Sequence, residues 1–357
     1  MDILILDKNK NELDLISVYQ SVIWNCQYYG VNDFQLVVSA SEKNMHLLQI
    51  GYYLVRDNDK VSDTEYRNVM MIEELKIDYE VDKGWILTVT GSGLKNILKK
   101  RIVWNQTNLV GNAEEAIRQV ITDNIINPTI AERKIDDFIL ADAVGLTDEI
   151  EAQLLGDNIS DWLVETCTSY NYGWDIYIKD NKYIFMLYQG TDRTFNQEAV
   201  KPVVFSPEYD NLISASYGYN MKEYSNACLV CGEGEGVNQR TASVGTASGL
   251  DRCESYIDGS SVTSNGEIIT LSQYEKLLQD YGQSQLDLTA QTKNFSGEIV
   301  PNNELYKINQ DYFLGDVVQI KTDRGITATP RIIEIIYAED ASGYSVVPTF
   351  TEWEAKE

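Results

Sequence analysis

The sequence predicts an α+β protein that is predominantly β, with two homologous barrel-like β-domains, an inserted small α+β domain and a helical insertion. Three observations support this prediction. One β-unit occurs twice, at residues 50–90 and 312–350. Apolar and polar residues alternate along its strands with the period of two that half-buried strands require. Between the two units, apolar stripes with helical spacing follow residues that cap helices.

The two β-units share three features in the same order. A short strand carrying a glycine leads through a polar loop to an apolar strand containing Ile-Glu, and a glycine followed by an aromatic residue then begins another strand. The shared positions are Gly51 and Gly315, Ile72-Glu73 and Ile333-Glu334, and Gly84-Trp85 and Gly343-Tyr344. This duplication predicts that residues 1–100 and the second β-domain superpose.

The first unit contains a clear hairpin signal. From Leu75 to Val81, apolar residues alternate with charged ones, as in a strand with one buried face. Residues 82–84, Asp-Lys-Gly, supply a tight turn, after which Trp85, Leu87 and Val89 continue the alternation. We therefore predict a half-buried hairpin with one solvated face.

The middle of the chain changes to a mixed pattern. Asn112 followed by glutamate three residues later predicts a helix cap, and the apolar stripe that follows ends at Pro128. A second helix is predicted over residues 159–170. It leads into a hairpin over residues 173–190, whose centre, Asp180-Asn181, tolerates the positive φ of a two-residue turn.

The C-terminal part returns to β-structure around one further helix. Residues 227–231 predict a buried strand that enters the glycine-rich stretch 232–236. Ser272 with Glu275 predicts a capping box for the helix, and Gly282 is its expected weak point.

These patterns predict four parts. They are a first barrel-like domain at 1–100, an α+β domain at 101–195, a second barrel-like domain at 196–250 with 299–357, and a helical insertion at 251–298.

Composition restricts the function classes. The formal net charge of −26, from 55 acidic and 29 basic residues, argues against specific nucleic-acid binding, because such proteins cluster Lys and Arg against phosphates. The N-terminus has no secretory pattern and no apolar run reaches about 18 residues, so we expect no membrane anchor. Five thinly spread cysteines suit a reducing compartment.

The motifs that often carry chemistry are incomplete here. The Gly-Glu-Gly-Glu-Gly stretch lacks the Lys-Ser/Thr of a phosphate loop. Cys228 and Cys231 have no second pair and, in a strand, point to opposite faces. His46, the only histidine, has no nucleophile motif beside it. We therefore predict no catalytic residue, no cofactor and no metal, although paired carboxylates for glycoside cleavage stay open as an alternative.

Two segments, ACLVCGEGEGVNQRTASVG and GLDRCESYID, resemble the tail-hub proteins of siphophages and prophages, the siphovirus gene-product-thirty-seven-like family. Further segments, including GNAEEAIRQVITDNI, NLISASYGYNMKEYSNA and LGDVVQI, are similar in the same order. The residues we single out from these motifs as structural or interaction positions are Gly232, Gly234, Gly236, Arg240, Arg252, Gly315 and Asp316. Cysteines at 228, 231 and 253 depart from the family pattern.

The resemblance implies a structural hub at the tail tip or baseplate. Such proteins are related to the N-terminal hub part of tail-associated lysins, to contractile-tail hubs and to type VI secretion spike hubs. It implies a homotrimer whose two barrels per subunit form a pseudo-sixfold ring around a channel for DNA and the tape-measure protein. The implied partners are the tail-tube ring, the tape-measure protein and a tip fibre, spike or lytic subunit.

The resemblance also implies a place in the virion, after assembly in the host cytoplasm. Two alternatives stay open. One is a tail-tip cell-wall hydrolase, against which we note that the chain ends at Glu357, just beyond the second β-unit, leaving no room for a lytic domain. The other is a carbohydrate- or receptor-binding tail protein, indicated by the 23 tyrosines.

Overall fold

A computed structural model describes residues 1–82, 84–264, 270–289, 292–300, 304–321 and 327–352, with the side chains of 215, 217, 219, 220, 292–298 and 352 left out. The protein is predominantly β with several sheets. This agrees with the predicted α+β class.

The N-terminal region is made of strands with two short helices. Each strand of the predicted hairpin is present, and the pair Glu80 and Gly84 closes its turn. The elements are β1 (Ile3–Leu6), β2 (Glu12–Ile16), β3 (Ser21–Gln27), β4 (Asp33–Ser39), α1 (Glu42–Leu47), β5 (Tyr53–Arg56), β6 (Lys60–Ser62), β7 (Glu65–Tyr66), β8 (Met70–Glu80), β9 (Gly84–Gly93) and α2 (Asn96–Lys99).

The middle region is α+β, and its predicted helices and hairpin are confirmed. The side chain of Asn112 accepts a hydrogen bond from the Glu115 N–H at 3.0 Å, which caps the first helix. Asp180 and Asn181 both have positive φ at the hairpin turn. The elements are β10 (Thr107–Asn112), α3 (Ala113–Ile121) with a π-helical turn (Thr122–Ile126), β11 (Phe138–Leu140), β12 (Glu149–Leu154), α4 (Ile159–Tyr170), β13 (Gly173–Lys179) and β14 (Lys182–Tyr188).

The C-terminal region contains the remaining strands and the longest described helix. The predicted strand at 227–231 is confirmed. The elements are β15 (Val204–Phe205), β16 (Leu212–Asn220), β17 (Ala227–Cys231), β18 (Thr241–Val244), β19 (Glu254–Asp258), α5 (Leu271–Leu288), β20 (Thr292–Ile299), β21 (Gln319–Lys321), β22 (Thr327–Ala328), β23 (Pro330–Asp340) and β24 (Gly343–Glu352).

One sheet joins the two ends of the chain. Among the described residues it has eleven strands, in the order β16-β20-β24-β23-β3-β4-β9-β8-β5-β1-β2, and we call it the main sheet. The run β16-β20-β24-β23 has the same pairing as β3-β4-β9-β8, antiparallel throughout. The two runs meet where β23 pairs with β3. The main sheet is therefore a tandem of two four-strand units placed edge to edge.

The two long hairpins, β8–β9 and β23–β24, match residue by residue. Each has a bulge at the same place, after Ile72 in one and after Ile332 in the other. Gly51 donates its N–H to the Ile72 carbonyl and Gly315 donates its N–H to the Ile332 carbonyl, both at 2.8 Å. The repeat is thus present in the backbone. The predicted match of Ile72-Glu73 with Ile333-Glu334 is wrong by one residue, because the bulges align Ile72 with Ile332.

Two cores lie on opposite faces of the N-terminal strands. In β1, Ile3 and Ile5 join a core shared with the second unit, whereas Leu4 and Leu6 join a core shared with the middle region. This alternation follows from the period of two of a strand. The first unit is consequently fixed to both other regions.

A third, smaller core fixes α5 against β17, β18 and β19. Gly282 is buried there, and an added Cβ would lie 2.5 Å from Val230. Glycine at this position allows the close approach of helix and sheet. The prediction that it weakens the helix stays a prediction. The predicted capping box is wrong: Thr270 and Gln273 form it, and Ser272 lies inside the helix.

The predicted four-part division and the barrel form of two of its parts stay predictions. The strand pairs described above add two facts. The strands β17 and β18, from the range predicted for the second barrel, pair and pack with β19 and α5. The strand β20, mostly from the predicted helical insertion, lies in the main sheet.

Candidate assembly interface

The main sheet has two incompletely paired strands at matching places. In the described part of the chain, β16 pairs only with β20, and β8 pairs with β5 through Met70 and Met71 alone. Ile72 also bonds the backbone of Gly51 and Tyr52, and beyond Ile72 the described partner of β8 is β9. Unpaired strand edges present rows of N–H and C=O groups to any further strand. The strands that correspond to them in the repeat, β3 and β23, pair with each other.

The far end of the β8–β9 hairpin exposes apolar side chains. The exposed fractions are 44% for Ile77, 59% for Tyr79, 86% for Val81 and 60% for Trp85. The rings of Tyr79 and Trp85 lie against each other, 5.2 Å between centroids. The predicted strand is present, but the prediction of a buried face is wrong for these residues, which are all at least 44% exposed.

The corresponding side chains of the second hairpin are buried. Ile335 and Tyr337, which match Leu75 and Ile77, are 1% and 3% exposed. The Arg56 guanidinium lies 3.6 Å from the centroid of the Tyr337 ring. Burial raises the pKa of the Tyr337 hydroxyl, which keeps the side chain neutral beside that cation. Pairing with β3 therefore converts this hairpin face into core.

Polar contacts complete the joint between β23 and the N-terminal region. Arg56 donates from Nε to the Asp59 carboxylate at 2.5 Å, with both side chains buried. Tyr19 donates its hydroxyl to Glu339 at 2.7 Å, and the N-terminal ammonium contacts the same carboxylate. Sequence reasoning missed Arg56; the available signal was its position at the end of the otherwise apolar run of β5.

Gly315 and Asp316 lie at the junction of all three regions. Gly315 has φ +93°, and an added Cβ would lie 2.2 Å from the Tyr28 ring. Asp316 is buried and accepts hydrogen bonds from the N–H groups of Thr191 at 2.8 Å and Phe313 at 2.9 Å. Arg193 donates to the same carboxylate from Nε at 2.5 Å. These two positions therefore hold the end of the middle region against the second unit.

Tyr28 is the centre of this junction and was missed by sequence reasoning. Its hydroxyl donates to the Asn171 carbonyl at 3.1 Å and accepts from the Gly190 N–H at 3.2 Å. Its ring leaves no space for a Cβ at Gly173 or Gly315. Burial raises the pKa of its hydroxyl. Nothing in the local pattern distinguishes this tyrosine from the others.

The glycine-rich loop holds α5 against its sheet. Gly232 packs so closely that a Cβ would lie 2.2 Å from the Tyr274 hydroxyl oxygen, and Gly234 has φ +95°. Glu233 accepts from the N–H and the hydroxyl of Ser264, both at 2.6 Å. Gly236 has φ +57° with open space around it. These contacts fix the loop against α5 and against Ser264.

The two arginines of the motif serve neighbouring turns. Arg240 lies 4.0 Å from the Glu233 carboxylate and 5.4 Å from the Tyr274 ring centroid. Arg252 donates to Glu254 at 2.6 Å and to the Ala247 carbonyl at 3.0 Å. The structure thus brings together Gly232, Gly234, Gly236 and Arg240 in one loop and, separately, Gly315 and Asp316. Arg252 lies in another turn of the small α5 sheet.

The remaining chemical candidates have ordinary surroundings. Cys228 and Cys231 are buried free thiols, and His46 is exposed on α1. Within the described residues, no group of three or more His, Cys, Asp or Glu side chains is arranged to hold a metal ion. Over the same residues, no helix has the length and hydropathy to cross a membrane.

The sequence model of the siphovirus ReqiPepy6 Gp37-like proteins matches residues 2–350, nearly the whole chain. The chain belongs to this family. The resemblance inferred from the glycine-rich segment is thereby confirmed. No curated protein matches the sequence.

Solved structures of tail proteins share the fold. The 43 kDa tail protein of prophage MuSo2 from Shewanella oneidensis has a TM-score of 0.55 at 12% identity, covering 99% of this chain and 98% of its own. A tail protein from Neisseria meningitidis MC58 has 0.55 at 11%, covering 98% and 96%. Prophage tail protein gp18 from Listeria monocytogenes EGD-e has 0.51 at 11%, covering 100% and 96%.

Proposed function

We propose that this chain is a structural hub protein of a phage or prophage tail tip, assembled as a homotrimeric ring. The observation that carries the proposal is the tandem of four-strand units in the main sheet. Within one chain, β23 of one unit pairs with β3 of the other. The matching strands are β16, an edge strand of the main sheet, and β8, whose only described strand partner beyond Ile72 is β9. A head-to-tail contact of this kind closes into a ring when its rotation allows.

The repeat specifies the register of the proposed contact. In the joint within the chain, residues 334–339 of β23 pair antiparallel with residues 22–27 of β3. The match between the two hairpins makes residues 74–79 equivalent to 334–339. The pairing of β3 with β4 and of β16 with β20, followed through β9 and β24, makes residues 215–220 equivalent to 22–27. We therefore place 74–79 of one subunit against 215–220 of the next. Ile336 lies opposite Asn25, so Lys76 is expected opposite Gly218.

The exposed apolar residues support this contact. Ile77 occupies the place of Tyr337, which the joint within the chain buries. A neighbouring subunit over β8 would bury Ile77 and the rings of Tyr79 and Trp85 in the same way. Burying a large apolar side chain contributes about 1.5–3 kcal/mol, so several partly exposed ones supply a substantial part of the association energy.

Directed crosslinking tests this register. We expect a chain with Lys76→Cys and Gly218→Cys, in a Cys253→Ser background, to form a covalent trimer under mild oxidation. An added Cβ at Gly218 meets no atom within 4 Å, so the substitution is sterically free. Directly opposite residues of an antiparallel pair have Cβ atoms about 4.5–5.5 Å apart, close enough for a disulfide after a small adjustment.

A displaced pair is the matched control. Lys76→Cys with Ser214→Cys puts the second thiol on the same strand but four residues from the expected partner, and each single variant lacks a partner. Covalent trimer from the first pair alone, read on a non-reducing gel, supports the proposal. Equal crosslinking of both pairs, or a folded chain that sediments as a monomer at all concentrations, would refute the ring.

The symmetry of the proposed ring indicates where in the tail this chain would lie. Three subunits carry six similar hairpins, which suits a junction between a hexameric tail-tube ring and threefold tip components such as a fibre, spike or lytic subunit. The charge of −26 motivates a further part of the proposal: if acidic residues line the channel, DNA and the extended tape-measure protein would meet no attractive wall. We place the ring in the virion, after assembly in the host cytoplasm, with a structural and not an enzymatic role.

A further inference from the structure

A small pocket in the middle region has a lining unlike the rest of the surface. It has a volume of about 300 Å³, the lower end of the range for ligand pockets. Residues 105–108, at the start of β10, the exposed side of α3 and the π-helical turn that follows it form its walls. Its lining consists of four asparagines, two glutamines, two threonines and one aspartate.

We propose that this pocket binds a neutral saccharide unit. Every amide in the lining both donates and accepts hydrogen bonds, and so does every hydroxyl of a sugar. No lysine or arginine lines the pocket, which disfavours phosphate and other anions, and no apolar side chain lines it, which disfavours lipid or hydrophobic peptide. The single carboxylate, Asp123, accepts from vicinal hydroxyls without making the site strongly charged.

One wall of the pocket is fixed before any ligand arrives. Asn124 is buried and accepts from the Trp104 N–H at 3.1 Å while it donates to the Val120 carbonyl at 2.9 Å. Arg133 donates to the same side-chain oxygen at 3.4 Å. Asn105 donates to the Thr129 hydroxyl at 3.2 Å across the rim. A wall held by such bonds loses little conformational entropy on binding.

The other lining groups are available to a ligand. Gln106, Gln119, Asp123 and Asn127 are exposed, and their side chains make no hydrogen bond or ion pair within the described residues. Gln119 and Asp123 are four residues apart on one helical face, where side chains are neighbours. Four polar side chains without a partner among the described residues thus converge on one concave surface.

Two features beside the pocket fit the same ligand class. The helix widens into the π-helical turn Thr122–Ile126 at the pocket wall, and such turns occur frequently at functional sites. Trp104, 49% exposed, directly precedes the lining residues 105–108 and has the Arg133 guanidinium 5.0 Å from its ring centroid. An exposed indole next to a polar pocket supplies an apolar surface for the C–H face of a sugar ring.

Saturation-transfer NMR tests the proposal with the full chain. The probes are glucose, galactose, mannose, rhamnose, N-acetylglucosamine and N-acetylgalactosamine, each offered separately. We expect transfer to at least one of them, with affinity on the order of 1 mM. Gln119→Ala and Asp123→Ala should each weaken that binding about tenfold or more, since each removes a bond to the ligand.

Gln283→Ala, an exposed glutamine on α5 outside the pocket, is the matched control and should leave binding unchanged. Thermal unfolding confirms that the exposed substitutions keep the fold. Absence of transfer to every probe would overturn the proposal, and so would transfer that survives both pocket substitutions. Ring assembly is read separately by crosslinking, so failure of one proposal does not imply failure of the other.

Discussion

Replacement of Gly315 by alanine should destabilise the junction of the three regions more than its backbone angle alone explains. Gly315 has φ +93°, where an L-residue pays about 1–2 kcal/mol. Its Cβ would also lie 2.2 Å from a carbon of the Tyr28 ring. That ring is held by Asn171 and Gly190, so it cannot rotate away freely.

The backbone strain and the steric overlap with Tyr28 both lower the stability of the Gly315→Ala variant. Overpacking of a well-filled site costs about 1–3 kcal/mol, so Gly315→Ala should lower the free energy of unfolding by about 2–5 kcal/mol in total. Gly84→Ala isolates the backbone part, because Gly84 has φ +75° with no atom within 4 Å of its Cβ. Its expected cost is about 1–2 kcal/mol.

Urea unfolding, followed by tryptophan fluorescence, measures both variants. A double-mutant cycle with Tyr28→Leu then tests whether contact with the Tyr28 ring causes the larger loss of stability in Gly315→Ala. The clash disappears in the double variant, so the cycle should show a coupling free energy of about 1 kcal/mol or more. Equal losses for Gly315→Ala and Gly84→Ala, or additive effects in the cycle, would refute the steric reasoning.

Two further predictions concern the hairpin edge and the middle region. Ile77→Asp should weaken ring assembly by about 100-fold or more, because it replaces apolar burial with a charge at the proposed contact. Leu229→Asp, at the closely similar exposure of 43% on β17, should leave assembly unchanged in sedimentation, and equal loss in both would contradict the proposed edge. Glu114 is buried, and although burial by itself raises the pKa of its carboxyl, the N–H groups of residues 144–146 bring that pKa below the usual 4.5. The stabilisation is therefore present above pH 4.5 and lost as pH falls through the folded-state value, so Glu114→Gln should cost about 1–3 kcal/mol at pH 7 in urea unfolding, and this cost should shrink as the pH is lowered below 4.5.

Local patterns predicted the elements well where the cause of an element is local. Asn112 caps α3 as its spacing indicates, and Asp180-Asn181 forms the turn that its tolerance of positive φ allows. The choice between two neighbouring candidate N-cap residues was harder to predict. Thr270 and Ser272 both precede a suitable partner, and the structure starts the helix after Thr270.

Long-range pairing was beyond the sequence pattern. The repeat was visible because Gly51 and Gly315 recur in the same setting, yet nothing local indicates that β23 pairs with β3 across most of the chain. The same gap explains the error at Ile77, since alternation shows which residues share a face and not whether anything covers it. Tyr28 and Arg56 were missed because their roles arise only where separate regions meet.

The joint between β23 and β3 has a consequence for how a closed assembly forms. Because both partners belong to one chain, three of the six joints in the proposed ring are already made when the chain folds, and only three joints between molecules remain to form. A covalent link keeps the effective concentration of such partners high. Since joints within and between chains are encoded by different residues, they can diverge independently. Alternate positions around the ring can therefore bind different neighbours, which a ring of six identical chains does not allow.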